Sequence, residues 1–125
     1  MHVLRRFCKA VVRGGILLDL QVIRPHMRIE SEGRLIYVAD GRPLFEWADA
    51  AQTGVDLLIA EGHLVEDAVD DHDVLKHYDS GADLIANWPP KQVKPSTETA
   101  EFLRAIRVEC VSRERCRLRK LGRVG

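Results

Sequence analysis

IRVECVSRERCRLR, residues 106–119, is the stretch on which the fold turns. Ile106, Val108, Cys110, Cys116 and Leu118 are even-numbered, whereas Arg107, Glu109, Arg113, Arg115, Arg117 and Arg119 are odd-numbered. On a strand this alternation separates an apolar face from a charged one; wound at 3.6 residues per turn, the same residues scatter over every face. Arg, Glu and Leu individually favour helix. A sustained period outranks propensity, so residues 105–120 are expected to be extended, as one strand or as a hairpin turning near Ser112–Glu114. The odd-numbered arginines would then line the wetter face.

A strand needs partners, and the nearest candidates lie at 16–39. In ILLDLQVI (16–23), Ile16, Leu18, Leu20 and Val22 share one face, with Asp19 and Gln21 on the other. Arg24-Pro25 interrupts, because proline cannot donate to a ladder. A second short strand resumes at Met27–Glu30. Ser31-Glu32-Gly33 reads as a turn that requires positive φ, and RLIYVA (34–39) is rich in β formers. The simplest arrangement of 16–39 is an antiparallel meander.

The flanks read as helix. Val3/Leu4, Phe7/Cys8 and Val11/Val12 form a helical stripe in a basic N-terminal segment that stops at Gly14-Gly15. Pro43 suits a first helical turn. Phe45–Glu61 continues it, with a possible division at Thr53-Gly54 and a stop at Gly62. Leu64, Val65, Ala68, Val69, His72, Leu75 and Tyr78 recur at helical spacing, which predicts a second acidic helix over 64–78. Trp88 opens a proline-rich connector, and Ser96 is placed to cap a helix beginning TETAEFLRA. The expected fold is therefore α+β: a small antiparallel sheet (16–39 plus 105–120) packed with an N-terminal basic helix and central acidic helices.

At 125 residues the chain is sized for a single domain, 1–125. With 46% hydrophobic and 30% charged residues it excludes collagen, rods and full-length disorder. No apolar run approaches the ~20 residues of a membrane span. The N-terminal basic segment lacks the pattern of a secretory or transit signal. Three cysteines, Cys8, Cys110 and Cys116, do not make a disulfide framework. Free thiols and a cytoplasmic setting are expected.

Net charge is zero, yet it is segregated: residues 1–39 sum to +4, 40–83 to −10 and 84–125 to +6. Twelve acids within 44 residues would repel one another if they faced only water. The acidic middle and the basic ends are therefore expected to meet, within or between subunits. Arg107, Arg113, Arg115, Arg117 and Arg119 are the candidate partner- or anion-binding residues, since the planar guanidinium suits carboxylate or phosphate. Trp47 and Trp88 are candidate interface residues.

Signals for chemistry are sparse. His63, Asp67, Asp70, Asp71, His72, Asp73 and His77 cluster between 63 and 77. On a helix His63/Asp67 and Asp73/His77 would be i,i+4 pairs able to chelate a metal, but they point about 80° apart and no H-E-x-x-H is present. No G-x-S-x-G, phosphate loop or activated cysteine occurs. No catalytic residue, cofactor or metal ligand is assigned. The expectation is a small non-enzymatic accessory, regulatory or assembly protein, of the kind phage, mobile-element and bacterial genomes encode. It would act through its acidic and basic surfaces on a protein partner or on itself. The alternatives are a nucleic-acid-binding module using the arginine stripe, and a metal-dependent enzyme using the His/Asp cluster.

Overall fold

A computed structural model describes residues 14–124. The N-terminal helix expected over 2–13, and Cys8 with it, lie outside the described residues. The elements run β1 (Ile16–Val22), β2 (Arg28–Ser31), β3 (Arg34–Val38), α1 (Arg42–Ala60), β4 (Leu64–Tyr78), α2 (Gly81–Ala86), α3 (Thr97–Arg104) and β5 (Cys110–Arg123). Among the described residues a five-stranded sheet and three helices make the fold α+β. The described pairings of β1 with β5, β2 with β3 and β2 with β5 are antiparallel.

Three expectations change. β1 pairs with β5, Ile16 opposite Gly122 through to Val22 opposite Cys116, so 16–39 is not a meander. β5 runs unbroken through Ser112–Glu114 with no hairpin, and it starts at Cys110 rather than 105. The second acidic helix over 64–78 is the strand β4. Three valines and four aspartates in that segment disfavour helix, and its carboxylates bond to the arginines of β5. The apparent helical period has a physical source. Glu66 and Asp71 differ in parity, yet they bond to Arg119 and Arg117, which share one. Alternation along β4 therefore slips by one residue between 66 and 71, as an inserted bulge residue makes it do.

The described residues form two compact units. The first comprises 14–23, 45–72 and 116–124. Its core is Val55, Leu58, Leu64 and Leu121, with Leu17 and Ile59 packed against it. α1 is one continuous helix of 19 residues, undivided at Thr53-Gly54. It ends in paired closing bonds, His63 N–H to Leu58 C=O at 2.9 Å and Gly62 N–H to Ile59 C=O at 3.0 Å. Gly62 adopts φ +82°, a conformation that glycine takes without steric cost.

The second unit comprises 24–44 and 73–115. Met27, Ile29, Ala39, Tyr78, Leu84, Trp88, Leu103 and Cys110 are its core. β2 and β3 form a hairpin whose two turn residues, Glu32 (φ 53°) and Gly33 (φ 75°), both take the left-handed conformation. Ser80 caps α2 and Ser96 caps α3, each accepting from a backbone N–H three residues on. Cys110 and Cys116 are buried free thiols. Among the described residues no helix is long and apolar enough to cross a membrane.

Candidate interaction surface

The arginines of β5 are engaged within their own units. In the first, Arg117 forks onto Asp71, with Nε to Oδ1 at 2.8 Å and Nη2 to Oδ2 at 3.0 Å, and donates a third bond to Gln52. Arg119 is 7% exposed. It donates to Glu66 at 2.6 Å and to Asp56 at 2.8 Å. Burial opposes its charge, but the bonds to Asp56 and Glu66 prevail and raise its pKa. Asp19 lies directly opposite Arg119 on β1. Its Oδ1 accepts from Gln21 at 2.9 Å, while Oδ2 is buried without a partner. Gln52, Asp56, Glu66, Val69, Asp71, Arg117 and Arg119 line an open pocket of about 290 Å³.

In the second unit Arg113 donates to Glu30 at 2.9 Å and to Asp73 at 3.0 Å, and Arg115 donates to the other oxygen of Asp73 at 3.2 Å. Hydrogen bonds from Arg113 and then Arg115 hold the Asp73 carboxyl below the usual range. Four of the five arginines singled out in the sequence thus meet acids from residues 30–73 of the same chain. The complementarity expected from charge segregation is present as ion pairs within the chain. Arg107, before β5, is exposed. Arg119 is buried, against the expectation of a wetter face. Asp56 on α1 and Glu66 on β4 draw it inward, where its fork is satisfied.

The aromatic candidates separate. Trp47 is 68% exposed on α1. Trp88, at 8%, is a core residue whose ring meets the edge of Tyr37 with centroids 6.0 Å apart. The His/Asp cluster lies on a strand, where residues four apart are separated by ~13 Å. His63 and Asp67 therefore cannot chelate as a helical pair, nor can Asp73 and His77. No group of three or more His, Cys, Asp or Glu side chains among the described residues could hold a metal ion. Burial pushes the Cys110 thiol up, away from the nucleophilic thiolate. A cavity of about 300 Å³ beside Trp88, Lys94, Thr97 and Arg104 has no Asp, Glu, His or Cys in its wall.

What the sequence reading missed is the orientation of β1. Ile16, Leu18 and Leu20 share a face, as their spacing requires, but that face is outward: they are 58%, 64% and 57% exposed. Leu17, between them, packs on the core beneath α1. Opposite Leu20 and Leu18 on β5 stand Leu118 and Lys120. A Cβ placed on Gly122 would meet Asp67 at 3.2 Å, so Asp67 of β4 lies over the same face. Val65, two residues before it, is 48% exposed. The first unit therefore presents an apolar outer sheet face of Ile16, Leu18, Leu20, Leu118 and Val65, marked by one lysine and one aspartate. Compared with protein-family models, with curated proteins and with solved structures, the chain matches none.

Proposed function

We propose that this chain is a small non-enzymatic interaction protein that binds a protein partner through the outer face of the first unit's sheet. The observation that carries the reading is the exposed row Ile16, Leu18 and Leu20. With Leu118 and Val65 it makes a row of apolar side chains turned toward water on one sheet face, the kind of patch that marks an interaction surface. Water-facing leucines at alternate positions of a strand gain free energy only when something covers them.

The charged surfaces support this reading indirectly. A protein that gripped phosphate through its arginine stripe would keep the forks available. Here Arg113, Arg115, Arg117 and Arg119 bind carboxylates of the same chain. Their work is to hold β5 against its neighbours. Cys110 and Cys116 as free thiols accord with a reducing, cytoplasmic setting.

A photo-crosslinking side chain placed at Leu18 in the living host tests the proposal. It should give discrete protein adducts that disappear when Leu20→Asp is added, while the same group at Phe102 of α3 gives none. No protein adduct at Leu18, or a salt-sensitive gel shift on DNA or RNA, would reject it.

A further inference from the structure

We infer that the second unit binds a small organic acid, a carboxylate on a compact apolar body, in the pocket where α2, the connector behind it and α3 meet. The site belongs to the other unit and does not depend on the reading of the apolar sheet face. Three observations carry it.

The first is the wall. Ile85 comes from α2, Trp88 follows it, and Lys94 and Pro95 come from the connector. Thr97, Ala100 and Arg104 lie three and seven residues apart, along one side of α3. Ile85, Pro95 and Ala100 are half-buried and Trp88 is buried. The edge contact with Tyr37 holds the indole, so this apolar side of the pocket is preformed. Ligand sites have this make-up, mostly apolar with a few polar groups that fix orientation.

The second is charge. The only ionisable side chains in the wall are two cations, Lys94 and Arg104. Neither has an ion pair among the described residues. Glu98 and Glu101 of α3 are outside the wall, each ~100° round the helix from Thr97 and Ala100. In this they differ from the arginines of β5, whose forks already hold carboxylates of the chain. Two unpaired cations beside an apolar wall are complementary to an anion with an apolar body.

The third is an unmet donor. The indole Nε1 of Trp88 is buried and has no hydrogen-bond partner. A buried N–H without an acceptor is uncommon and costly. A ligand carboxylate brings acceptor oxygens that the chain does not supply there.

Size sets the class. The pocket holds about 300 Å³, room for about ten non-hydrogen atoms at ~30 Å³ each. That admits an aromatic or branched carboxylic acid and excludes a nucleotide, which has more than about twenty.

Titration of the ¹⁵N-labelled full chain with phenylacetate at pH 7, followed by NMR, tests this. The Trp88 indole N–H and the amides of Thr97, Ala100 and Arg104 should shift and saturate, with a dissociation constant of about 10⁻⁴ M. Leu121, in the first unit, should stay still. Phenylacetamide, which keeps the body without the charge, should bind at least about tenfold more weakly. Acetate and inorganic phosphate, which keep a charge without the body, should do the same.

Two variants locate the site. Lys94→Gln with Arg104→Gln changes two exposed side chains, so Tm should move by less than about 2 °C. It should weaken phenylacetate about tenfold and leave phenylacetamide unchanged. Ala100→Leu fills the pocket and should abolish binding of both. The inference is overturned by the absence of a saturable shift up to about 10 mM. It is equally overturned if acetate, phosphate or phenylacetamide matches phenylacetate, or if Ala100→Leu still binds. A peptide with acidic and aromatic residues that saturates the pocket where phenylacetate does not would make the site a protein-docking one and overturn it too. The sheet-face proposal is read separately, from the crosslink at Leu18.

Discussion

In the second unit, Ile29 and Ser112 face each other across β2 and β5 and both are buried, as alternation with an apolar core requires. In the first, the two strands that alternate most clearly turn the other way. Leu17 opposite Leu121 and Asp19 opposite Arg119 point inward, while Leu18 opposite Lys120 and Leu20 opposite Leu118 point out. Period two states which residues share a face; it does not state which face is covered. The helix settles that. α1 brings Val55 and Leu58 to Leu17, Leu64 and Leu121, and one turn away it brings Asp56 and Gln52 to Arg119 and Arg117. Half of the first unit's interior is thus apolar and half is ionic. The second unit buries Ser31, Gln92 and Ser112 beside its apolar core, but among its described residues no charged side chain is buried.

A substitution made once in each unit gives the largest contrast. A Cβ on Gly81 would lie 1.7 Å from the backbone oxygen of Leu103, and backbone cannot step aside. Gly81 also donates to Ile106 at 2.8 Å, so its own position is held. Gly81→Ala should cost on the order of 3 kcal/mol or more. Hydrogen exchange should show loss of protection through α2 and α3. Gly122→Ala meets only the end of the exposed Asp67 side chain, and should shift stability by less than ~0.5 kcal/mol. Equal effects in urea unfolding would break the comparison.

How much of this was legible depends on what each residue answers to. Ser80 and Ser96 answer to their own helix ends, and Glu32-Gly33 to its own turn; such local demands can be read directly. β5 is legible because its period survives over most of its length. β4 is not, because a one-residue slip between Glu66 and Asp71 mixes the two faces, and valines four apart then imitate a helix. The pairing of β1 with β5, across nearly a hundred residues, leaves no local trace. The alternation of β5 sets Arg113, Arg115, Arg117 and Arg119 in a row; that they meet Glu30, Asp56, Glu66, Asp71 and Asp73 of the same chain is a tertiary fact. The candidate face is present in the sequence as ILLDLQV, whose alternation shows that Ile16, Leu18, Leu20 and Val22 share a face but not that the face is turned outward.

The ionic half of the first unit should prove costly to disturb. Arg119→Ala removes two charge-assisted bonds and leaves Glu66 and Asp56 facing a void. A fully buried pair broken in this way costs ~3–5 kcal/mol. Asp56 is 65% exposed and can rehydrate, so about 2–3 kcal/mol is expected, roughly 8–12 °C in Tm. Arg119→Met, which fills the space without a charge, should recover part of that only if Glu66 is also made apolar. A loss below ~1 kcal/mol for Arg119→Ala would mean that the first unit is held by its apolar half alone.

Acid should reach both units through their carboxylates, at different points. Asp73 has its folded pKa lowered by Arg113 and Arg115, and Arg42 draws Asp40 down to about 2 from 3.8. A depressed folded value means that the stabilisation is fully present above the unfolded pKa and fades as pH falls through the folded one. The second unit should therefore keep its stability to about pH 4 and lose it progressively toward pH 2. Asp73→Asn should lower Tm at pH 7 by less than Arg119→Ala does, and the deficit should shrink toward pH 2. A deficit that stays constant across that range would show that the Asp73 charge does not matter to its pairing. Changing Arg113, Arg115 and Arg117 together to Gln should lower Tm more at low salt than at 1 M, where the screening length is ~3 Å.

The smallest effect is expected where a sequence reading would place the largest. Leu18 and Leu20 look like core residues, yet at 64% and 57% exposure they lose little burial on truncation. Threonine keeps β-branching, which suits a strand, and its hydroxyl faces water. Leu18→Thr with Leu20→Thr should therefore change the stability of dilute protein, near 1 µM, by no more than ~0.5 kcal/mol, about 2 °C in Tm. Leu121→Ala, at 0% exposure on the opposite face of the same sheet, should cost about 2–4 kcal/mol. If the variant already loses more than ~1 kcal/mol at 1 µM, the row is covered within the single chain. The contrast between the two units would then be one of which segment covers the face, with no surface left over for a partner.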